Sequence, residues 1–171
     1  MVNIPWTTVE TSTNNYYNSI ADGYNELHGQ EQRRKAKLVL SKLEQSDIDG
    51  FLDVGGGTGY ATEIFPGKRV LLEPSEKLRA KAKGAAIEGV AERLPFPDKS
   101  FSLVVCLTAI HHFKDPKKAL SEMKRVCQRQ VVVSLLKKAQ NYRKLDSVIR
   151  KILKNCEILD DLHDMIYIWN R

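Results

Sequence analysis

The sequence predicts an α/β protein, a three-layer sandwich built on one seven-stranded, mostly parallel sheet with an antiparallel hairpin at its C-terminal end. Three observations lead there. Short apolar runs alternate with segments of helical period, which is the pattern of βαβ units. The runs at 101–107 and 130–136 are almost continuously apolar, as strands covered on both faces are. The last two runs, Cys156 to Leu159 and Met165 to Trp169, are joined by five residues, which suits a hairpin and is too short for a crossover helix. A chain of 171 residues with 42% hydrophobic and 28% charged residues suits a single globular domain and excludes a disordered one.

Taken in order, residues 1 to 10 read as a loosely held arm. Tyr16, Tyr17, Ile20 and Tyr24 recur at spacings of three and four, predicting a helix that ends near Gly23. A second helix carries Ala36, Val39, Leu40 and Leu43 on one stripe, with Glu31 and Lys35 one turn apart on its polar side. Phe51 to Val54 is the central strand, and Gly55-Gly56-Gly57-Thr58-Gly59 turns it into a helix expected from about Thr58 until Pro66-Gly67. Arg69 to Glu73 and Ala85 to Val90 are the next strands, with Ser75 capping a short helix between them. Residues 93–100 contain two prolines and read as loop. Asp115-Pro116 starts a helix as N-cap and first-turn proline. After the 130–136 strand, Tyr142, Leu145, Val148, Ile149, Ile152 and Leu153 form an amphipathic helix with Arg143, Lys144, Arg150, Lys151 and Lys154 on its other side. The chain divides into the arm and helices of 1–46 and a core of 47–171.

The three cysteines, Cys106, Cys127 and Cys156, are too few and too scattered for a disulfide framework or a metal motif, and Cys106 reads as a reduced core thiol. His28 and His163 have no metal-like spacing around them, so no metal is expected. No apolar run reaches the ~18 residues of a membrane span. Met1 to Trp6 has no leader-like pattern, so the cytoplasm is the expected location. Between Lys137 and Lys154 seven basic residues face Asp146 alone, a local balance of +6. That stripe is either a solvated helix face or a surface for phosphates.

Sheets of this kind bind ligands beyond the C-terminal ends of their strands. The segments expected there end at Asp53, Glu73, Val90 to Glu92 and Leu107 to His112. The glycine turn lets a ligand approach backbone N–H groups. Its spacing fails the dinucleotide pattern, because the third glycine would fall at Tyr60, and no Gly-Lys-Ser/Thr follows for a P-loop. Asp53 beside the turn suits a cationic group, and Glu73 at the next strand end can accept from ribose hydroxyls. A nucleoside bearing an amino-acid group fits better than a dinucleotide.

With those residues in place, Asp-Val-Gly-Gly-Gly-Thr-Gly at 53–59, Glu-Pro-Ser at 73–75, the stretch from Gly89 to Phe101 and Ala-Ile-His-His-Phe at 109–113 resemble class I S-adenosylmethionine-dependent methyltransferases. The likeness runs from about Tyr17 to Val133 and is greatest to the type 11 group, which is similar to the ubiquinone/menaquinone-biosynthesis methyltransferases. It implies a Rossmann-like, minimal class I methyltransferase fold and S-adenosyl-L-methionine as cofactor. In cofactor binding it implies Gly55, Gly57 and Gly59 around the methionine half with Asp53 near the amino group, and Glu73 with Pro74 at the ribose. It further implies Val90, Ala91 and Glu92 at the adenine, Leu107 along the methionine moiety, and Tyr16, Tyr17 and Tyr24 closing over the site. Three departures stand out: Val90 where many relatives carry aspartate, Phe101-Ser102 for Phe-Asp, and Cys127-Gln128-Arg129-Gln130 for the usual Pro-Gly-Gly.

Methyl transfer from a sulfonium needs alignment and exclusion of water more than acid–base groups. His111 and His112 are the candidates for taking a proton from the acceptor, with a structural histidine as the alternative. No large recognition insert is visible, so the site is expected to be open. A small organic acceptor is favoured. RNA or protein, met through the basic helix 142–154, is the alternative, as is a non-catalytic scaffold, and a homodimer or partner chain could complete the pocket.

Overall fold

The computed structural model describes residues 12–171, so the arm expected at 1–10 lies outside the described residues. Seven strands form one sheet: β1 (Gly50–Val54), β2 (Lys68–Leu72), β3 (Ala85–Ile87), β4 (Phe101–Leu107), β5 (Cys127–Leu136), β6 (Glu157–Asp160) and β7 (Asp164–Asn170). Their order is β3-β2-β1-β4-β5-β7-β6. The first five are parallel, β7 runs antiparallel to β5, and β6 antiparallel to β7. The strand order therefore reverses between β1 and β4, and the crevice at that switch point lies beside the glycine turn.

Five α-helices are described: α1 (Ser12–Ile20), α2 (Gln30–Leu40), α3 (Glu76–Ala80), α4 (Pro116–Val126) and α5 (Tyr142–Ile152). On one face α4 and α5 pack Leu120, Met123, Leu145 and Ile149 against Leu52, Val104 and Val133 of the sheet. On the other, Ala36 and Val39 of α2 pack with Leu43 and Phe65 against Phe51, Leu103, Val105 and Ile166. Every residue of β4 is buried, because both layers cover it. Cys106 is a free thiol in that strand, and burial pushes its pKa up. Helix starts follow local chemistry. The Asp115 carboxylate accepts the Lys118 N–H at 3.0 Å ahead of Pro116, and Ser75 Oγ accepts the Leu78 N–H at 3.2 Å.

Several elements differ from expectation. The helix expected from Thr58 is an irregular turn with a single 3₁₀ turn at Thr62–Ile64, since Pro66-Gly67 leaves too few residues for a longer one. The first helix stops at Ile20 and continues as a 3₁₀ turn, Ala21–Gly23, and a wide turn, Asn25–Gly29, before α2. Strand β3 ends at Ile87 rather than Val90, and β5 begins at Cys127, ahead of the apolar run. The hairpin strands extend inward to Asp160 and Asp164, so only three residues connect them. Lys35, expected on the polar side of α2, is completely buried. Among the described residues no helix is long and apolar enough to cross a membrane.

Candidate cofactor and acceptor site

Beyond the C-terminal ends of β1, β2 and β4 lies a cavity of about 650 Å³, within the usual range for small-molecule sites. Its walls are Ser12 to Asn14 and Tyr17 of α1, Tyr24, the glycine turn at Gly55 and Gly57, and Glu73-Pro74. Residues Gly89 to Glu92, Leu107 to Ala109, His112 to Asp115 and Lys118 line it as well, with Val54, Leu72 and Leu78 behind them.

Glu73 follows β2 and is 6% exposed. One of its oxygens accepts the Gly57 N–H at 2.9 Å and the other the Ser75 N–H at 2.9 Å. A carboxylate has about four acceptor positions, so each oxygen keeps capacity for a hydroxyl in the cavity. Burial raises the Glu73 pKa, and the two backbone bonds oppose that rise. Gly55 lies in the left-handed region at φ 66, and a Cβ there would come within 2.8 Å of the Ala109 methyl. No residue but glycine suits it. Gly57 lies against the Tyr24 ring.

Asp53 is fully buried at the end of β1. One oxygen accepts from the Thr62 hydroxyl, while Oδ1 has no partner. Burial pushes its pKa up to about 6, against the Thr62 bond and the Arg69 charge. Asp53 does not line the large cavity. It borders a space of about 30 Å³ with Asn25 and Gln32, which shares Tyr24, Gly55 and Leu107 with the larger cavity. An unpartnered buried acceptor at that boundary fits an ammonium donor.

The other predicted residues separate. Pro74, Val90, Ala91 and Leu107 line the large cavity, with Val90 45% exposed at the mouth. Glu92 lines it too, and one of its oxygens accepts the N–H groups of Lys114 and Asp115 at 2.8 and 3.1 Å, tying this loop to the start of α4. Gly59 lies elsewhere: the Arg69 guanidinium packs against it and donates to its carbonyl. Tyr16 is 56% exposed and lines neither space, whereas Tyr17 and Tyr24 line the large cavity. Burial pushes the Tyr17 pKa up to about 12 and raises Tyr24 as well, so both stay protonated at neutral pH.

The histidines divide in the same way. His112 lines the cavity, and its Nε2 is 2.8 Å from the Tyr17 hydroxyl. His111 does not line it. Its Nδ1 is buried without a partner, and burial, with His112 beside it, lowers its pKa to about 4. Sequence reasoning passed over Thr108, Ser134, Asp164 and Lys35, which meet beside the cavity wall. Lys35 did leave a signal, standing four residues before Val39 on the buried face.

Comparison with known proteins follows the same residues. The family model of a methyltransferase domain matches 52–135. An uncharacterised methyltransferase of Bacillus subtilis, YcgJ, is 32% identical over 105 residues, covering 54% of this chain and 42% of its own. Among solved structures, the magnesium protoporphyrin IX methyltransferase of Synechocystis with bound SAH superposes with a TM-score of 0.72 at 16% identity, over 93% of this chain and 98% of its own. A chain from the complex between the Haloferax volcanii Trm112 methyltransferase activator and a methyltransferase gives 0.73 at 15% identity, over 89% and 96%. The structural likenesses establish the fold. The chain spans about half the length of the first curated relatives it matches, 42% and 56%.

Proposed function

Because this chain belongs to the class I S-adenosylmethionine-dependent methyltransferases of the type 11 group, we propose that it moves a methyl group from S-adenosylmethionine, held in the large cavity, to a nucleophile entering beside Tyr17, Thr108 and His112. The supporting observation is that Glu73, Gly55 and Gly57 line the large cavity at the strand switch point, while Asp53, with one unpartnered oxygen, borders a smaller space that shares Tyr24, Gly55 and Leu107 with it. When bound, the donor supplies a methyl group already activated by positive charge on sulfur.

The chain's own residues then have four tasks. Glu73 accepts from the ribose hydroxyls, and Asp53 Oδ1 receives the ammonium group. Pro74, Val90 and Ala91 enclose the adenine. Residues 12–24 close over the donor, and the neutral Tyr17 and Tyr24 hold water away. His112 takes a proton from acceptors that carry one: in the tautomer whose Nε2–H donates to the Tyr17 oxygen, Nδ1 is the basic nitrogen. Its pKa is lowered by burial, so it enters the reaction neutral.

The acceptor we favour is a small organic molecule, since Tyr17, Phe113 and Ala109 give the cavity an apolar wall. The name of the Synechocystis neighbour, a small-molecule methyltransferase, supports that choice. RNA is a second reading, supported by the exposed cations of α4 and α5. A partner chain completing the acceptor pocket agrees with the Trm112 complex among the neighbours.

Titration calorimetry with S-adenosylmethionine tests the donor site. Glu73→Gln is expected to weaken binding by about 1–3 kcal/mol, the worth of charge-assisted hydrogen bonds. A wild-type Kd weaker than about 1 mM, roughly 4 kcal/mol of binding, sinks the assignment. Radiolabelled methyl transfer to fractionated extract, scored separately for small molecules, RNA and protein, identifies the acceptor class.

A further inference from the structure

Beside the cavity, where β4 ends, lies a buried polar cluster that the chemistry above does not use. Lys35 of α2 and Asp164, the first residue of β7, are both fully buried, with Lys35 Nζ 2.6 Å from Asp164 Oδ2. Lys35 also donates to Thr108 Oγ1 at 2.5 Å. That hydroxyl lies 3.1 Å from Asp164 Oδ1 and 3.2 Å from Ser134 Oγ, and the Thr108 N–H donates to Ser134 Oγ at 2.8 Å. Thr108 itself lines the cavity.

Two features make this more than a packing detail. A buried ion pair seldom repays its desolvation, and an apolar pair of similar volume is often as stable. Stability therefore does not explain the charges. Thr108 is also β-branched and sits in the left-handed region at φ 55, a conformation such residues adopt only when surrounding contacts hold them there. The contacts that hold it are those of Lys35, Asp164 and Ser134, with a longer one to Gln32 Oε1 at 3.4 Å. Next to it, Ala109 is the residue whose methyl would meet a Cβ on Gly55, so the position of 107–109 sets the gap to the glycine turn.

Charge gives a second consequence. Lys35 contacts the side chain of a cavity-lining residue, and its ammonium is balanced by Asp164, with Glu31 farther away at 3.5 Å. Uncompensated, it would repel a cationic ligand through a medium of low dielectric. We propose that Lys35 and Asp164 are positioning residues for the methyl-donor end of the cavity: they hold Thr108 and the 107–109 backbone against the glycine turn, and their mutual neutrality keeps the cavity receptive to a sulfonium. This rests on the donor assignment above.

S-adenosylmethionine and S-adenosylhomocysteine differ by a methyl group and one positive charge, so their affinities separate charge from shape. Calorimetry and thermal melts at pH 6.5 would compare wild type with Asp164→Asn, Thr108→Val and the double variant Lys35→Met/Asp164→Leu. Asp164→Asn is expected to weaken S-adenosylmethionine about tenfold and S-adenosylhomocysteine no more than about threefold, because Lys35 is left without its nearest counter-charge. The double variant is expected to melt near the wild-type temperature, restore the ratio between the ligands, and bind both about three- to tenfold more weakly, since Thr108 loses its anchors. Thr108→Val should weaken both alike. Equal losses for the two ligands in Asp164→Asn, in step with its melting temperature, would mean an ordinary structural pair and overturn the proposal. If Asp164→Asn does not fold, a folded double variant with wild-type affinities overturns it as well. Wild-type protein that binds neither ligand overturns the donor assignment and this inference together, whereas tight wild-type binding with insensitive variants overturns the inference alone.

Discussion

Asp53 combines a cost in stability with the binding role proposed for it. Its pKa of about 6 lies above the ordinary carboxylate value because the charge is buried with one oxygen unpartnered. Between about pH 4 and 6 the folded protein thus holds a proton that the unfolded chain has released, so stability falls as pH rises through that window and levels off above it. Asp53→Asn, which keeps an acceptor for Thr62, is expected to raise the melting temperature at pH 7.5 by the equivalent of up to ~3 kcal/mol and to flatten the slope between pH 4 and 6. The same variant should bind S-adenosylmethionine more weakly. Melts across pH 4–8 check the first part, and an unchanged slope would disprove it. The carboxylates at positions 53 and 73 were legible in the sequence, because a strand about to be buried rarely ends in a charge without a use. Lys35 was not. Its spacing from Val39 was outweighed by Glu31, four residues before it, which gave it a ready partner on a polar face, and only packing of α2 on the sheet end revealed Asp164 as the nearer one.

At the scale of elements, α1 closes one side of the cavity yet buries none of its residues. It is held by polar contacts. Asn18 Oδ1 accepts from Ser75 Oγ at 2.6 Å and from the Lys77 N–H at 3.2 Å, Tyr17 bonds His112, and in the 3₁₀ turn just after the helix Asp22 pairs with Lys81 at 2.9 Å. An element with so little apolar burial is expected to open well below the global unfolding free energy. Asn18→Ala should speed amide exchange in 12–20 and the release of bound cofactor about three- to tenfold, with little change in melting temperature. Exchange in α1 as slow as in β4 would refute this. The helices α4, with its Asp115 cap, and α5, with a full apolar stripe, were legible with nearly their observed bounds. The irregular path after Thr58 was not, since the apolar spacing of residues 60–65 fits a helix equally well. The Arg69 bonds to Gly59 and Thr62 that support the irregular turn come from the next strand.

Over the whole molecule, charge is distributed by layer. On the α4–α5 face, Asp115 caps its helix, Glu122 pairs with Arg125, and Asp146 pairs with Arg150 and accepts from Tyr167. Lys117, Arg143, Lys144, Lys151 and Lys154 remain exposed, with no carboxylate ion pair among the described residues, and Lys118, also exposed, reaches the cavity. If this face docks RNA, binding should fall steeply with salt, and Arg143→Glu/Lys144→Glu/Lys151→Glu should reduce the logarithmic slope by about 2–3 while leaving cofactor affinity unchanged. A flat slope in the wild type makes the face ordinary surface and leaves the small-molecule acceptor as the better account. By itself the sequence determined the strand count, the parallel sheet with its terminal hairpin, and the glycines and carboxylates at the strand ends that are proposed as the donor site, because these depend on local period, turn chemistry and strand ends. Only the tertiary structure decided that His112 rather than His111 faces the cavity, that Gly59 and Tyr16 lie apart from it, and that Lys35, Thr108, Ser134 and Asp164 converge. Those outcomes depend on which side chains from distant segments share one space, and the strand order brings residues 35, 108, 134 and 164 together at a single sheet end.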